Sequence, residues 1–510
     1  MISKINSASL NGIDGYIVSV ETDISSGFPA FEIVGLPDAA VKESKERIRA
    51  AIKNSGLVMP SKRITVNLAP ADVKKEGAHF DMPIALGILL SSEQLEIKDC
   101  EKYAFFGELS LDGRLRRVNG ILPMVISAYQ NGIKDIILPL ENAAEAAVIS
   151  GLTVFGAESL DDILKHFTSQ KELKPFTVDI ESIFNDKTES VYDFADVKGQ
   201  PYVKRALEVA AAGGHNLLMI GPPGSGKTMI AQRIPSILPD MSFEEALEVT
   251  KLHSISGILP ENSPIITKRP FRHPHHTVSS VGLSGGGAHP KPGELSLAHN
   301  GVLFLDELPE FRRDALEVMR QPLEDGTITI TRVGGTCSYP CRIMLVASMN
   351  PCPCGYYGDP TRECTCSQSQ IARYMSKISG PLLDRIDLHI EVPAVKFDEL
   401  KDEKRGESSA EIKKRVDAAR EIQRKRYEKA GIYSNSRLTP QLMREYCKPD
   451  RDAEAILEMA YKSMGLSARA HNRILKVART IADLDGAERI NSEHITEAIQ
   501  YRTLDRKFFG

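Results

Sequence analysis

The chain has 510 residues, 42% hydrophobic and 26% charged, with a formal net charge of −4. At roughly 150 residues per domain this suffices for about three domains, each able to bury its own core. The balance supplies no global basic field, which counts against a histone-like coating of nucleic acid, and no tryptophan with 6% aromatics leaves few stacking platforms for single strands.

No apolar run approaches the ~20 residues that cross a bilayer. The start, MISKINSASLNG, has neither a basic n-region leading into an apolar stretch nor an Arg/Ser-rich transit pattern, so a cytoplasmic protein without a membrane segment is expected.

Residues 1–165 mix alternating runs (GYIVSVETDI, RITVNLAP, YAFFGELSL) with helix-like ones (DAAVKESKERIRAAIKNSG, PMVISAYQNG) and read as an α+β domain. The polar, weakly periodic stretch 166–192 reads as a linker. Residues 193–395 alternate buried-strand runs (NLLMIG, GVLFLDEL, CRIMLVASMN) with helical segments, the pattern of a parallel α/β sheet. Residues 396–510 are helix-compatible throughout and read as an α-helical lid. The fold class expected is multidomain α/β. No internal repeat or low-complexity tract is visible.

HNLLMIGPPGSGKTMIAQRI places Gly221, Pro222, Pro223, Gly224, Ser225, Gly226, Lys227 and Thr228 in phosphate-loop spacing, after an apolar strand and before a helix. Glycines let backbone N–H groups approach phosphates, Lys227 reaches the β and γ phosphates, and Thr228 offers its hydroxyl to magnesium. The next element, GVLFLDELPEF, ends a strand in Asp306, a candidate for the magnesium shell, and Glu307, a candidate for polarising the attacking water. CRIMLVASMN ends in Asn350, placed to bond both γ-phosphate and water; a strand-end turn is the alternative use of that residue. Arg385 in GPLLDRIDLHI and Arg469 in MGLSARAHNRILKVART are candidates to spread transition-state charge, against the alternative of surface or ion-paired arginines. ATP and Mg2+ are the cofactors this set calls for.

The chain resembles the YifB/ComM branch of magnesium-chelatase-like AAA+ ATPases over essentially its whole length. The resemblance is carried by RPFRHPHHTVSSVGLSGGGAHPKPGELSLAHNGVLFLDELPEF, RQPLEDGTITITR, SMNPCPCG and LSARAHNRILKVARTIADLDG. It implies a homo-hexameric ring, Arg385 acting in trans on a neighbour's ATP, and Arg469 acting as sensor 2. It also implies a branch-migration helicase that extends heteroduplex DNA during natural transformation, with recombination proteins as partners. Residues 269–287 are then a helix-2 insert and 324–342 a pre-sensor-1 hairpin, both aimed into the ring pore. Arg269, Arg272, Lys291, His273, His275, His276 and Arg332 become candidate DNA contacts, the alternative for the HPHH run being a structural knot of satisfied imidazoles.

Residues 1–165 resemble the Lon-protease-like (ribosomal S5 domain 2-like) fold. His79 in KKEGAHFD stands in the place of the nucleophilic serine and Leu122 in that of the dyad lysine, so an acyl-enzyme route has no starting atoms. Lys74, Lys75, Arg114, Arg116 and Arg117 are candidate phosphate contacts or a solvated basic turn. Cys352, Cys354, Cys364 and Cys366 form a C-x-C…C-x-C pattern that could close one tetrahedral zinc; reduced thiols and disulfides remain alternatives. A chelatase-type motor driving metal insertion or remodelling a protein partner is the competing function.

Overall fold

The computed structural model of the chain describes residues 2–185, 192–261, 263–287, 290–332, 335–360, 362–395, 406–504 and 508. Its contacts divide into two units: 1–187 with 246–267 and 333–338, and 188–245 with 268–332 and 339–510.

The first unit is built on an eight-stranded mixed sheet. From one edge the order is Pro175–Phe176, Thr153–Ala157, Asp135–Pro139, Tyr103–Phe105, Ile2–Asn11, Asp14–Ser25, Arg63–Ala69, Ala30–Val34. Ile2–Asn11, Asp14–Ser25 and Arg63–Ala69 run antiparallel, whereas Ile2–Asn11 through Thr153–Ala157 pair in parallel. Alternation explains the meander: Ile64, Val66 and Leu68 are buried while their neighbours in Arg63–Ala69 are not. Asp38 caps the helix Ala39–Asn54 by accepting from the Val41 amide at 2.8 Å, and that helix buries Val41, Ile48, Ala51 and Ile52. The sheet reaches Pro175–Phe176, inside the stretch expected as linker; residues 186–191 of that stretch lie outside the described residues.

The second unit holds a five-stranded parallel sheet in the order Phe271–Arg272, Val302–Leu305, Met344–Met349, Leu217–Ile220, Leu388–Glu391. Three of these strands are buried at every position, as befits a sheet covered on both faces. Ile220 pairs with Met349 and Leu305 with Ala347, so Gly221, Asp306 and Asn350 leave the sheet side by side along its C-terminal edge.

Among the described residues five C-terminal α-helices follow: Ser409–Tyr427, Pro440–Tyr446, Arg451–Met464, Ala468–Leu484 and Ser492–Gln500. Ile412, Val416, Ile474, Val477 and Ile481 join Ala206, Val209 and Ala210 of helix Pro201–Gly213 in one core with the sheet. Gln423 Nε2 donates to Ala212 O and Arg420 Nη2 to Ala211 O, both at 3.1 Å, satisfying carbonyls that the end of that helix leaves open. The expected boundary at 395/396 falls beside residues 396–405, outside the described set.

Candidate functional site

The phosphate loop turns on glycines. Gly224 and Gly226 adopt φ of 78° and 88°, left-handed values that cost a residue with a Cβ about 1–2 kcal/mol. A Cβ on Gly221 would stand 2.2 Å from Val392 O, so only glycine passes there. The loop delivers Lys227 and Thr228 to the start of helix Lys227–Arg233, facing the carboxylates that follow strand Val302–Leu305, two strands away across Met344–Met349.

A cavity of about 420 Å3 results, lined by the loop with Asp306, Glu307, Ser348 and Asn350. Thr228 Oγ1 donates to Asp306 Oδ2 at 2.7 Å, and Ser348 Oγ donates to Asp306 Oδ1. Lys227 Nζ donates to Gly221 O at 2.8 Å, to Pro222 O at 2.9 Å and to Asn350 Oδ1 at 3.3 Å. Burial pushes the Lys227 ammonium down to about 8, against the pull of Asp306 and Glu307. Glu307 sits at φ 55°, a left-handed turn for a residue with a side chain, and its amide donates to Asp306 Oδ1 at 3.1 Å. A hydroxyl and a carboxylate at 2.7 Å are hard oxygen donors suited to magnesium; a lysine, a carboxylate and an amide beside them suit a triphosphate and a water.

Two residues escaped the sequence reading. Ser348 fixes the Asp306 carboxylate. Gln200, itself at φ 56°, donates from Nε2 to Ser225 O at 3.2 Å and to Pro393 O at 2.8 Å, bracing the phosphate loop from behind. A polar residue inside a buried strand, and a Gly-Gln pair opening a helix, were the available signals.

Arg385 and Arg469 do not reach that cavity. They line another, of about 400 Å3, together with Glu324, Asp387, Arg437, Arg473 and Lys476. Arg385 donates to Glu324 and, from Nη1, to Pro381 O at 2.7 Å; its Nε is buried with no partner among the described residues. The Asp387 carboxylate accepts from Arg473 and from the Asn216 amide at 3.2 Å, with His215 Nδ1 at 3.3 Å. Burial works against the Asp387 charge, but Arg473 and His215 outweigh it and hold the carboxyl far below the usual range.

The expected DNA contacts divide between residues paired within the chain and residues that stay exposed. Arg269 is committed to Glu245 at 2.9 Å and to the carbonyls of Pro239 and Asn300, and Arg272 grips Glu294 through two bonds of 2.6 and 2.7 Å. Both guanidiniums anchor the chain around strand Phe271–Arg272. The histidines line the carboxylate end of the sheet: His273 packs on Phe304 at 4.8 Å, His275 on His276 at 4.1 Å, and His276 Nδ1 lies 3.7 Å from Glu307 Oε2. Lys291 is exposed. The hairpin region consists of strands Thr327–Arg332 and Gly335–Pro340, the tip residues 333–334 and the Arg332 side chain lying outside the described set.

In the first unit Lys75 is fully buried and spends its ammonium on Val73 O at 2.7 Å, so it is not offered to solvent as expected; Arg117 is half-buried and donates to Leu259 O at 3.0 Å. Lys74, Arg114 and Arg116 stay exposed in loose pairs with Glu76, Asp112 and Glu108. His79 is buried against Phe80 with Nε2 3.0 Å from Ala8 O, and burial drops its pKa to about 4; Leu122 is fully buried.

Cys352, Cys354, Cys364 and Cys366 place their sulfurs within 4.8 Å of one another, and none is in a disulfide. Sulfur separations of 3.3, 3.6 and 3.7 Å approach the ~3.8 Å edge of a tetrahedron with metal–sulfur bonds of about 2.3 Å. The four residues therefore fit a zinc ion. Gly355 inside this loop lies so close to the phosphate loop that a Cβ would be 2.4 Å from Pro223 Cδ.

Comparison with known proteins bears on all three stretches. A family model for magnesium chelatase, subunit ChlI, matches residues 193–400; one for subunit ChlI of Mg-chelatase matches 20–142; one for the ChlI C-terminal region matches 406–502. A competence protein, ComM, of Haemophilus influenzae is 45% identical over 500 residues, 97% of this chain and 96% of that relative. An uncharacterized protein, YifB, of Escherichia coli is 44% identical over 511 residues, 99% of this chain and 98% of its own. Lon protease 2 of Bacillus subtilis is 26% identical over 142 residues, 27% of this chain and 25% of its own.

Proposed function

The chain belongs to the YifB/ComM family of magnesium-chelatase-like AAA+ ATPases, and from that premise we propose that it is a homo-hexameric ring motor which hydrolyses ATP to drive branch migration of DNA recombination intermediates in the cytoplasm. The observation that carries the catalytic part is the hydrogen-bonded run Thr228–Asp306–Ser348 beside the Lys227–Asn350 contact in one cavity.

Lys227 neutralises β and γ oxygens, and its depressed pKa rises again when phosphate replaces the present carbonyl partners. Magnesium, held by the Thr228 hydroxyl and the Asp306 carboxylate, would supply charge neutralisation of the triphosphate. Glu307 accepts the proton of the attacking water as its oxygen bonds the γ phosphorus and the bond to the β–γ bridging oxygen breaks, leaving ADP and inorganic phosphate. Asn350 orients that water.

Arg385 and Arg469 share a cavity remote from these groups, which supports their acting together on the nucleotide of a neighbouring copy. Zinc on the four cysteines would order residues 352–366 against the phosphate loop. In this reading residues 1–165 take a Lon-like fold; with His79 and Leu122 buried in the serine and lysine places, the role of this domain is assembly or DNA guidance.

The DNA substrate is supported by full-length identity to a competence protein. The test is ATP turnover with single-stranded, duplex and four-way-junction DNA, paired with a junction-migration assay. Junction DNA should raise turnover, and affinity for duplex should fall with salt at a slope of about −0.9 per phosphate neutralised. Turnover indifferent to every DNA sinks the substrate part. The three chelatase-type segments favour a second reading, a motor for metal insertion or protein remodelling; stimulation by magnesium protoporphyrin and not by DNA would select it.

A further inference from the structure

The HPHH run does not line the phosphate pocket: His273 and His275 are exposed, and His276 is half-buried. It leaves strand Phe271–Arg272, which Arg272 and Arg269 fix through Glu294 and Glu245, and passes the end of strand Val302–Leu305, where the carboxylates sit. His276 is held on two sides: its ring lies 4.1 Å from that of His275 and edge-on to Phe311 at 6.4 Å. His275 is itself tied to Thr277 Oγ1 at 2.9 Å. The imidazole Nδ1 then stands 3.7 Å from Glu307 Oε2, and it does not line the nucleotide cavity. Glu307 has a left-handed backbone and a side chain 57% exposed, so little else restricts its rotamer. A carboxylate that must take a proton from one water gains from a fixed orientation, and an imidazole set against one oxygen leaves the other free to accept.

We infer that His276 is a positioning residue for Glu307, holding the carboxylate from outside the nucleotide cavity and tying its orientation to the 273–287 segment. The inference rests on Glu307 acting as the base. At 3.7 Å the contact is longer than a hydrogen bond, and it acts by biasing which way the carboxylate turns. The histidine touches no substrate atom. Movement of the 273–287 segment then alters the hydrolytic step without altering nucleotide binding.

The experiment is steady-state ATP hydrolysis by full-length wild type, His276→Ala and His276→Asn, the last placing an amide N–H near the Nδ1 position, with affinity for a non-hydrolysable ATP analogue and Tm measured alongside. The expected result is a kcat about tenfold lower in His276→Ala, unchanged analogue affinity and Tm, and at least half of wild-type kcat in His276→Asn. In a Glu307→Asp background, where the shortened carboxylate is out of reach, His276→Ala should have no further effect. Unchanged kcat in His276→Ala overturns the inference, as does a loss of kcat accompanied by equal losses of affinity and Tm that His276→Asn does not restore. Wild type without turnover overturns instead the ATPase reading beneath it, and the inference falls with that reading.

Discussion

The phosphate cavity and the arginine cavity are similar in size and opposite in content. One gathers Lys227, Thr228, Asp306, Glu307 and Asn350 from consecutive strand ends; the other gathers Arg385, Arg437, Arg469, Arg473 and Lys476 from a loop and the C-terminal helices. The first has the carboxylate proposed to activate water and no guanidinium, the second guanidiniums and no phosphate loop. A transition state with charge spread over the γ oxygens needs both sets. The difference teaches that completeness of a reaction's groups in a sequence is not completeness of a site in one chain, and it motivates the proposed ring.

The sharpest way to break the comparison is to mutate each side and mix. Arg385→Ala should lower turnover by about 10³-fold or more while leaving ATP binding intact, and Arg469→Ala should behave alike. Lys227→Ala should lose ATP binding and turnover together. Mixing Arg385→Ala with Lys227→Ala subunits should restore a fraction of wild-type turnover, because the first supplies a sound pocket and the second sound arginines. Absence of restoration at every ratio would contradict cooperation between copies.

A smaller effect should separate the cavities through the cysteine loop. Gly355 abuts Pro223 of the phosphate loop, so stripping metal with a chelator, or Cys352→Ser with Cys354→Ser, should lower Tm by on the order of 5–10 °C and weaken ATP binding. The stripped protein should still donate its arginines in the mixing assay. Elemental analysis finding no zinc in the purified wild type would remove this arm.

The smallest effect is in pH. The Lys227 ammonium is depressed to about 8 from its ordinary 10.5, so below pH 8 the pocket is already charged and ATP binds without taking up a proton there. Above pH 8 the lysine is neutral before binding and a proton must be acquired. Affinity for ATP should therefore fall between pH 8 and 9.5, by up to about tenfold per unit, while a Lys227→Arg protein should bind, weakly or not, with a flat profile over that range. An unchanged wild-type affinity across the range would mean that burial does not depress this lysine.

The pocket was legible because each of its motifs is short, contiguous and attached to a strand end whose direction the parallel pattern dictates: Gly221, Asp306 and Asn350 needed only the sheet order to meet. The buried alternation of Arg63–Ala69 and the amphipathic face of Ala39–Asn54 were legible for the same reason, since period alone determines which side is covered. What sequence did not disclose was long-range pairing. Arg269 and Arg272 looked available for phosphate because their partners Glu245 and Glu294, more than twenty residues away in sequence, are set by tertiary geometry, not spacing. Two-residue strands such as Phe271–Arg272 carry too little pattern to be seen at all, and with that strand went the placement of His276 beside Glu307.

The central claim is that the carboxylate ending strand Val302–Leu305 activates water against a triphosphate held by Lys227. Its most direct test is release of inorganic phosphate by wild type and Glu307→Gln at saturating Mg-ATP, with bound nucleotide measured in the same samples. Wild type should turn over, and Glu307→Gln should bind ATP as tightly while releasing phosphate at least about 10²-fold more slowly. Equal phosphate release by the two proteins would contradict the account.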